Sequence, residues 1–173
     1  AKGGNFDLQD RQSLLAELGD VMLKLIPRYR ALSERGQVEL SCTPANHPLS
    51  PLMIDFKSAR ESWPESPLPS SAEYPGGRDR VKAHLAGAAL SHQERFGSAP
   101  AGLWPAEGAL SAPFLNQIGE SGFRWTASSH SVLRNSAGEN ALTTVPWQAP
   151  SGTPGDLTLF FRNEKLSDLI GFE

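Results

Sequence analysis

The residue with the clearest chemical potential is Glu107, a lone carboxylate in the stretch AGLWPAEGALS at 101–111. The short apolar run at 101–104 predicts a strand, and the Pro-Ala-Glu-Gly sequence after it predicts a tight turn. Strand-to-helix turns at the carboxyl edge of a parallel sheet are where α/β proteins place reactive groups. Glu107 is therefore a candidate reactive acid, and Trp104 is available to stack on a sugar ring. The alternative is a solvated loop acid beside a core tryptophan.

Two histidines also follow predicted strands. His47 lies in a proline-pinned loop at 43–53, after an alternating segment at 37–43 that predicts a strand. His130 follows a second predicted strand at 123–127. A histidine just past a strand end is well placed to point into a cleft, whereas the alternative for His47 is a loop histidine bonded to backbone.

The elements that must position these residues alternate along the chain. Helical spacing predicts a helix from Asp10 to about Gly36, with an apolar stripe that we expect to be core, and a second helix at 78–96. A third helix is expected at 113–120, capped by Ser111. The remaining predictions are strands at 141–145 and 157–161, an irregular connection at 57–77, a polar turn at 134–141 and a helix start at 166–172.

Composition limits the class of protein. The chain has 173 residues, 39% hydrophobic, 20% charged and with a net charge of −3, which is typical of a soluble globular protein and predicts a single domain over 1–173. No basic cluster favours a nucleic-acid partner, and no apolar run is long enough to span a membrane. The single Cys42 forms no internal disulfide or metal framework and fits a reducing compartment, so we expect a cytoplasmic protein.

The alternation of helices and strands predicts an α/β fold: a mainly parallel sheet with flanking helices and right-handed crossovers. A full barrel of this type takes about 250 residues. The chain supplies about five strands by the patterns above, so it is either an open sheet or part of a barrel.

Several segments, in order along residues 8–173, resemble glycoside hydrolase family 57, which includes α-amylases, amylopullulanases and 4-α-glucanotransferases. GQVEL at 36–40 with TPANHPLSPL at 43–52 resembles one family segment, and GLWPAEGALS at 102–111 resembles the segment of the nucleophile. Two later segments also resemble the family: GFRWTA at 122–127, continuing to SVL at 131–133, and FRNEKLSDLIGF at 161–172.

The resemblance implies an incomplete seven-stranded β/α barrel and a retaining enzyme that acts on α-glucans with no cofactor and no catalytic metal. By motif match Glu107 is the nucleophile. Retaining glycosidases need a second carboxyl group about 5–5.5 Å away as acid/base. The groups expected to contact the substrate sit at or near predicted strand ends: His47, Trp104, His130, Arg162 and Asp168.

Three departures from the family pattern qualify the resemblance. The family's opening His-Gln-Pro segment is absent, and its Asp-Gly-Glu segment, with the acid/base aspartate, lies downstream of the last motif. Asn163 stands where relatives commonly carry Asp, and Ser128-Ser129-His130 stands where an acidic pair is common. We therefore expect an excised piece of a longer enzyme, the central part of its barrel, inactive alone and able to self-associate through an open sheet edge.

Two other classes remain open. A metal-dependent carbohydrate deacetylase would need two histidines and an aspartate, for which the candidates are His47, His130 and either Asp55 or Asp168, although none shows the close spacing typical of a metal site. A non-catalytic carbohydrate-binding or interaction module would bind sugar without turnover.

Overall fold

A computed structural model describes residues 2–71 and 73–171. The first element is a long helix, α1 (Leu8–Glu34), whose N-terminus is closed by a capping box. Asp7 is the N-cap, and the Asp10 side chain accepts from the backbone of Asp7 in return. The predicted helix is confirmed, but its cap is Asp7 and Asp10 is the third helical residue.

The apolar stripe of α1 is not core, so that prediction was wrong. No residue of the helix is buried, and Leu14, Val21 and Met22 are 60%, 56% and 69% exposed. Helical spacing shows that one face is apolar, but it does not show that the fold supplies a surface to cover that face. Within the described residues, no helix is long and apolar enough to cross a membrane.

The predicted strand at 37–43 is reduced to a single point of pairing. Cys42 forms an isolated parallel bridge with Leu103, through bonds from its N–H to the Gly102 carbonyl and from the Trp104 N–H to its own carbonyl. The alternation at 37–43 therefore marks a segment that lies beside the strand containing Leu103, as a parallel neighbour would. Regular pairing does not extend over its length.

Cys42 is expected to react slowly in the folded chain. Burial raises the pKa of its thiol from an ordinary value of 9.0 to about 11, so the reactive thiolate is about 100-fold scarcer at pH 8. Iodoacetamide should alkylate Cys42 about tenfold more slowly in buffer than in urea, because the higher pKa also makes the thiolate a stronger nucleophile and offsets part of its scarcity. The rate in buffer should rise as the pH rises towards 11. Mass spectrometry of quenched time points measures both rates, and equal rates in buffer and urea would contradict the packing of this segment.

The proline-pinned loop predicted at 43–53 and the irregular connection predicted at 57–77 contain short helices. These are α2 (Ser50–Ile54), a 3-10 turn at Phe56–Ser58 and α3 (Ala59–Ser62). The next helix, α4 (Gly77–Phe96), matches its prediction and packs against α2 so closely that a Cβ on Gly77 would lie 1.8 Å from the Met53 carbonyl oxygen.

Over the described residues, the sheet has four strands in the order β1-β2-β4-β3. They are β1 (Gly102–Leu103), β2 (Trp125–Ser129), β3 (Trp147–Gln148) and β4 (Thr158–Arg162). β1, β2 and β4 are parallel, and β3 pairs antiparallel along the outer edge of β4. The predicted mainly parallel sheet is confirmed.

Two local predictions after β2 were wrong in part or in whole. Only the second half of the polar turn expected at 134–141 is a turn, because its first half belongs to the helix α6 (His130–Ala137), which begins where Ser129 accepts a bond from the Val132 N–H. The strand expected at 141–145 is a turn, and the chain becomes extended only at β3. Polar residues on the exposed face of α6 hid its periodicity, because only Leu133 is buried.

The core lies between the sheet and the helices α4 and α5 (Ala112–Glu120). Ser111 precedes α5 as predicted, but its side chain makes no capping bond within the described residues. A last helix, α7 (Glu164–Gly171), covers the start predicted at 166–172, of which residue 172 lies outside the described residues. The central core side chains are Val81, Leu85, Leu103, Phe114, Ile118, Phe123, Leu157 and Leu159.

Candidate functional site

The predicted site residues lie at one edge of the sheet. β1, β2 and β4 run in parallel, so their carboxyl ends meet at the same edge, and the Cys42 bridge runs in the same direction. His47 follows the bridge, Glu107 follows β1, His130 directly follows β2, and Arg162 is the last residue of β4. Topology thus brings together segments that are far apart in sequence.

Glu107 and His47 are in direct contact across this edge. The His47 Nε2 atom lies 3.0 Å from the Glu107 Oε1 atom, a hydrogen-bond distance across 60 positions of sequence. Both side chains remain accessible, with 57% of His47 and 72% of Glu107 exposed. The contact with His47 therefore orients the Glu107 carboxylate and leaves most of its surface open to a ligand.

The backbone at both residues is in the left-handed region that favours glycine. Glu107 has φ 56° and ψ 17° within the 3-10 turn Ala106–Gly108, and His47 has φ 51°. A side chain in this region costs about 1–3 kcal/mol, which the surrounding structure must offset. Such outliers concentrate at functional sites, and here two of them face each other.

A buried serine supports the turn that carries Glu107. The Ser128 side chain, fully buried in β2, donates a hydrogen bond to the Gly108 carbonyl oxygen. Trp104 packs beside the same glycine, with ring atoms 3.7 Å from the position of a Cβ there. The sequence reading missed this role of Ser128, although its inward position within an alternating strand was the available signal.

Trp104 also approaches the end of β4, which lies two strands from β1 in the sheet. The Arg162 guanidinium lies 5.9 Å from the centre of the Trp104 ring, within the range of a cation–π contact. The Asp168 Oδ1 atom lies 4.0 Å from the Arg162 Nη1 atom. Asp168 lies within α7 and does not cap it. That role belongs to Asn163, whose side chain accepts from the Leu166 N–H at 3.0 Å.

A second acid, missed in the sequence reading, lies at the end of β4. Glu164 accepts a hydrogen bond of 2.8 Å from the Ser131 hydroxyl, and Ser131 lies 2.9 Å from the Ser129 hydroxyl. The Ser131 bond, more than the neighbouring Arg162 charge, holds the pKa of Glu164 below its ordinary value. His130 is half-buried between these serines and makes no side-chain hydrogen bond within residues 2–71 and 73–171.

Over the part of the chain that the structure describes, no group of three His, Cys, Asp or Glu side chains is placed to hold a metal ion. The two histidines required by the deacetylase alternative differ in surroundings, because His47 contacts Glu107 while His130 lies at the start of α6.

Comparison with known sequences gives one family. The sequence profile described as "Glycosyl hydrolase family 57" matches residues 13–173. No curated protein sequence matches the chain.

Solved structures share the fold at low identity. A 4-α-glucanotransferase from Thermococcus litoralis is 16% identical with a TM-score of 0.60, and covers 92% of this chain with 21% of its own. A branching enzyme from Thermococcus kodakaraensis, in complex with glucose and additives, is 16% identical with a TM-score of 0.63, and the match covers 99% of this chain and 33% of that enzyme. The α-amylase AmyC from Thermotoga maritima is 16% identical with a TM-score of 0.60, and the match covers 91% of this chain and 26% of that enzyme.

The chain therefore spans about a fifth to a third of the length of these structures. At this identity the likeness shows the fold alone. It agrees with the prediction of a mainly parallel sheet with flanking helices that forms part of a β/α barrel.

Proposed function

Because the chain belongs to glycosyl hydrolase family 57, we propose that the protein cleaves or transfers the glycosidic bonds of α-glucans with retention of anomeric configuration, and that Glu107 is the nucleophile. The similar structures that support this include a glucanotransferase, a branching enzyme and an α-amylase. The chain is a part of their length, so the activity belongs to the protein that contains it.

The observation that carries the proposal is the contact between the Glu107 carboxylate and the His47 ring at the carboxyl edge of the sheet. A ring N–H that donates to Oε1 orients the carboxylate and leaves Oε2 free to attack an anomeric carbon. The left-handed backbone at Glu107 ends the extended course of the chain after β1, and the Glu107 side chain is exposed at the carboxyl edge of the sheet.

The other residues of the edge have complementary chemistry. Trp104 offers an aromatic face for a sugar ring, while Arg162 and Asp168 offer a donor and an acceptor for hydroxyl groups. His130 lies at the end of the next strand and completes the row of candidate substrate contacts.

A retaining mechanism also needs an acid/base carboxyl group. We propose that it comes from a part of the protein other than residues 1–173, as the resemblance to the family implies. On this proposal the 173-residue chain alone shows no efficient turnover. Its cytoplasmic location, its single-domain organisation and its self-association through a sheet edge remain predictions.

Covalent trapping tests the nucleophile directly. We expect 5-fluoro-α-D-glucosyl fluoride to form an ester with Glu107: the carboxylate oxygen bonds to the anomeric carbon as the carbon–fluorine bond breaks, and fluoride leaves. Fluoride departs without acid catalysis, so this step does not depend on the acid/base residue. Peptide mass spectrometry should locate one glycosyl group on Glu107.

The Glu107→Gln variant is the control and should form no adduct. An adduct on any other carboxylate, with Glu107 unmodified, would contradict the assignment.

A further inference from the structure

A groove with no role in the site described above opens beside the Glu107 turn. Its volume is about 320 Å³, within the range of small-molecule pockets. It lies between the connections that follow His47, Glu107 and His130. The lining residues on which the argument depends most are Leu49, Leu52, Glu61, Trp63, Leu110 and Val132.

The groove is lined by residues that lie close to the candidate site along the chain. Leu110 lines the groove three residues after Glu107, and three residues span at most about 11 Å of chain. Val132, which also lines the groove, lies two residues after His130. A linear ligand whose reacting bond lies at Glu107 therefore reaches the groove with its adjoining units.

The lining suits a pyranose ring. Trp63 is 60% exposed, so its indole is available to stack on the apolar face of a sugar, beside Leu49 and Leu52. Polar side chains on the same walls can meet the hydroxyl groups at the ring edge: Ser58, Ser62, Ser66, Asn135 and Ser136.

Glu61 adds a carboxyl group to one wall. Burial, and to a lesser extent the nearby Asp55 charge, raises the pKa of Glu61 above its ordinary value. Glu61 and Leu110 also line an adjoining cavity of about 270 Å³ that extends beneath α6 towards Trp147. The groove and this cavity therefore share part of their walls.

We propose that this groove is a further saccharide subsite, in which Trp63 stacks on a glucose unit next to the unit held at Glu107. The inference rests on the proposed function, and it assigns a binding role to α3 and to the connection after it. Maltooligosaccharides long enough to fill both places should therefore bind more tightly than short ones, and Trp63 should account for the difference.

Isothermal titration calorimetry on the full protein tests this inference. In a Glu107→Gln background, which prevents turnover, Trp63→Ala should weaken maltoheptaose binding about tenfold, equal to about 1.4 kcal/mol. Glucose, whose single ring can occupy the place at Glu107 without entering the groove, should change less than about twofold, which is under about 0.5 kcal/mol. Trp63→Phe should restore most of the lost affinity, because an aromatic face remains.

Tyr74→Ala is the matched control. Tyr74 is another exposed aromatic residue, 40% accessible, which lies outside the lining of the groove. Its removal should leave both affinities unchanged.

The outcomes separate this inference from the proposed function. If the Glu107→Gln protein binds maltoheptaose and Trp63→Ala leaves that affinity unchanged, the subsite is overturned while the proposed function stands. Equal weakening of both sugars by Trp63→Ala, with a lower melting temperature, would show a structural role and also overturn it. If the Glu107→Gln protein binds neither sugar, the proposed function and the subsite both fail.

Discussion

Replacement of Glu107 by Gln in the full protein is expected to lower kcat for α-glucan cleavage at least ~10³-fold, about 4 kcal/mol of barrier. A glycosyl-enzyme intermediate requires an ionised carboxylate, and an amide of the same size cannot form it. The amide keeps a carbonyl oxygen that can accept from His47, so we expect substrate affinity to be largely retained. Steady-state kinetics on an α-glucan, with binding measured by calorimetry, gives both quantities.

Azide should partly rescue a Glu107→Ala variant, because a small anion can occupy the vacated space and attack the anomeric carbon. The rescued product should have inverted configuration, which NMR of the fresh product reports. Glu120→Gln is the matched control: Glu120 is half exposed, pairs with Lys82 at 3.7 Å and should leave kcat unchanged. If Glu107→Gln kept more than roughly a tenth of wild-type kcat, a deficit below ~1.4 kcal/mol, Glu107 would not be the nucleophile.

Replacement of Phe114 by Ala is expected to lower the free energy of unfolding by about 3–5 kcal/mol. Phe114 is fully buried at the first turn of α5, and its N–H bonds to the Ser111 carbonyl at 3.0 Å. Truncation removes apolar contacts and leaves a cavity between the helix and the sheet. The loss is a large part of the 5–15 kcal/mol that typically stabilises a domain. Urea unfolding followed by circular dichroism measures the loss.

Phe6→Ala controls for the loss of a phenyl group as such. Phe6 is 67% exposed and precedes α1, so its removal should change the free energy of unfolding by less than about 0.5 kcal/mol. Similar losses for Phe114→Ala and Phe6→Ala would show that α5 is not anchored in the core as described.

The elements around Glu107 could be predicted because their signals are local. The apolar run before Pro105 ends at the turn, and the positive φ of Gly108 matches the turn predicted there. The strand expected at 141–145 failed for the opposite reason. Its β-branched residues favour a strand, but the neighbouring edge of β4 is taken by Trp147 and Gln148, and a strand forms only where a partner is available.

The sequence by itself determined the helices α1, α4 and α5, the parallel strands β1, β2 and β4, the carboxylate at the turn after β1 and membership of the family, since each depends on neighbouring residues or on motif order. Only the tertiary structure decided which side chains meet. His47 reaches Glu107 across 60 positions, and Ser128 reaches the Gly108 carbonyl across 20, because parallel pairing sets the register of separate segments. Periodicity records which face of an element is apolar, and packing alone decides whether that face is covered, as the exposed stripe of α1 shows.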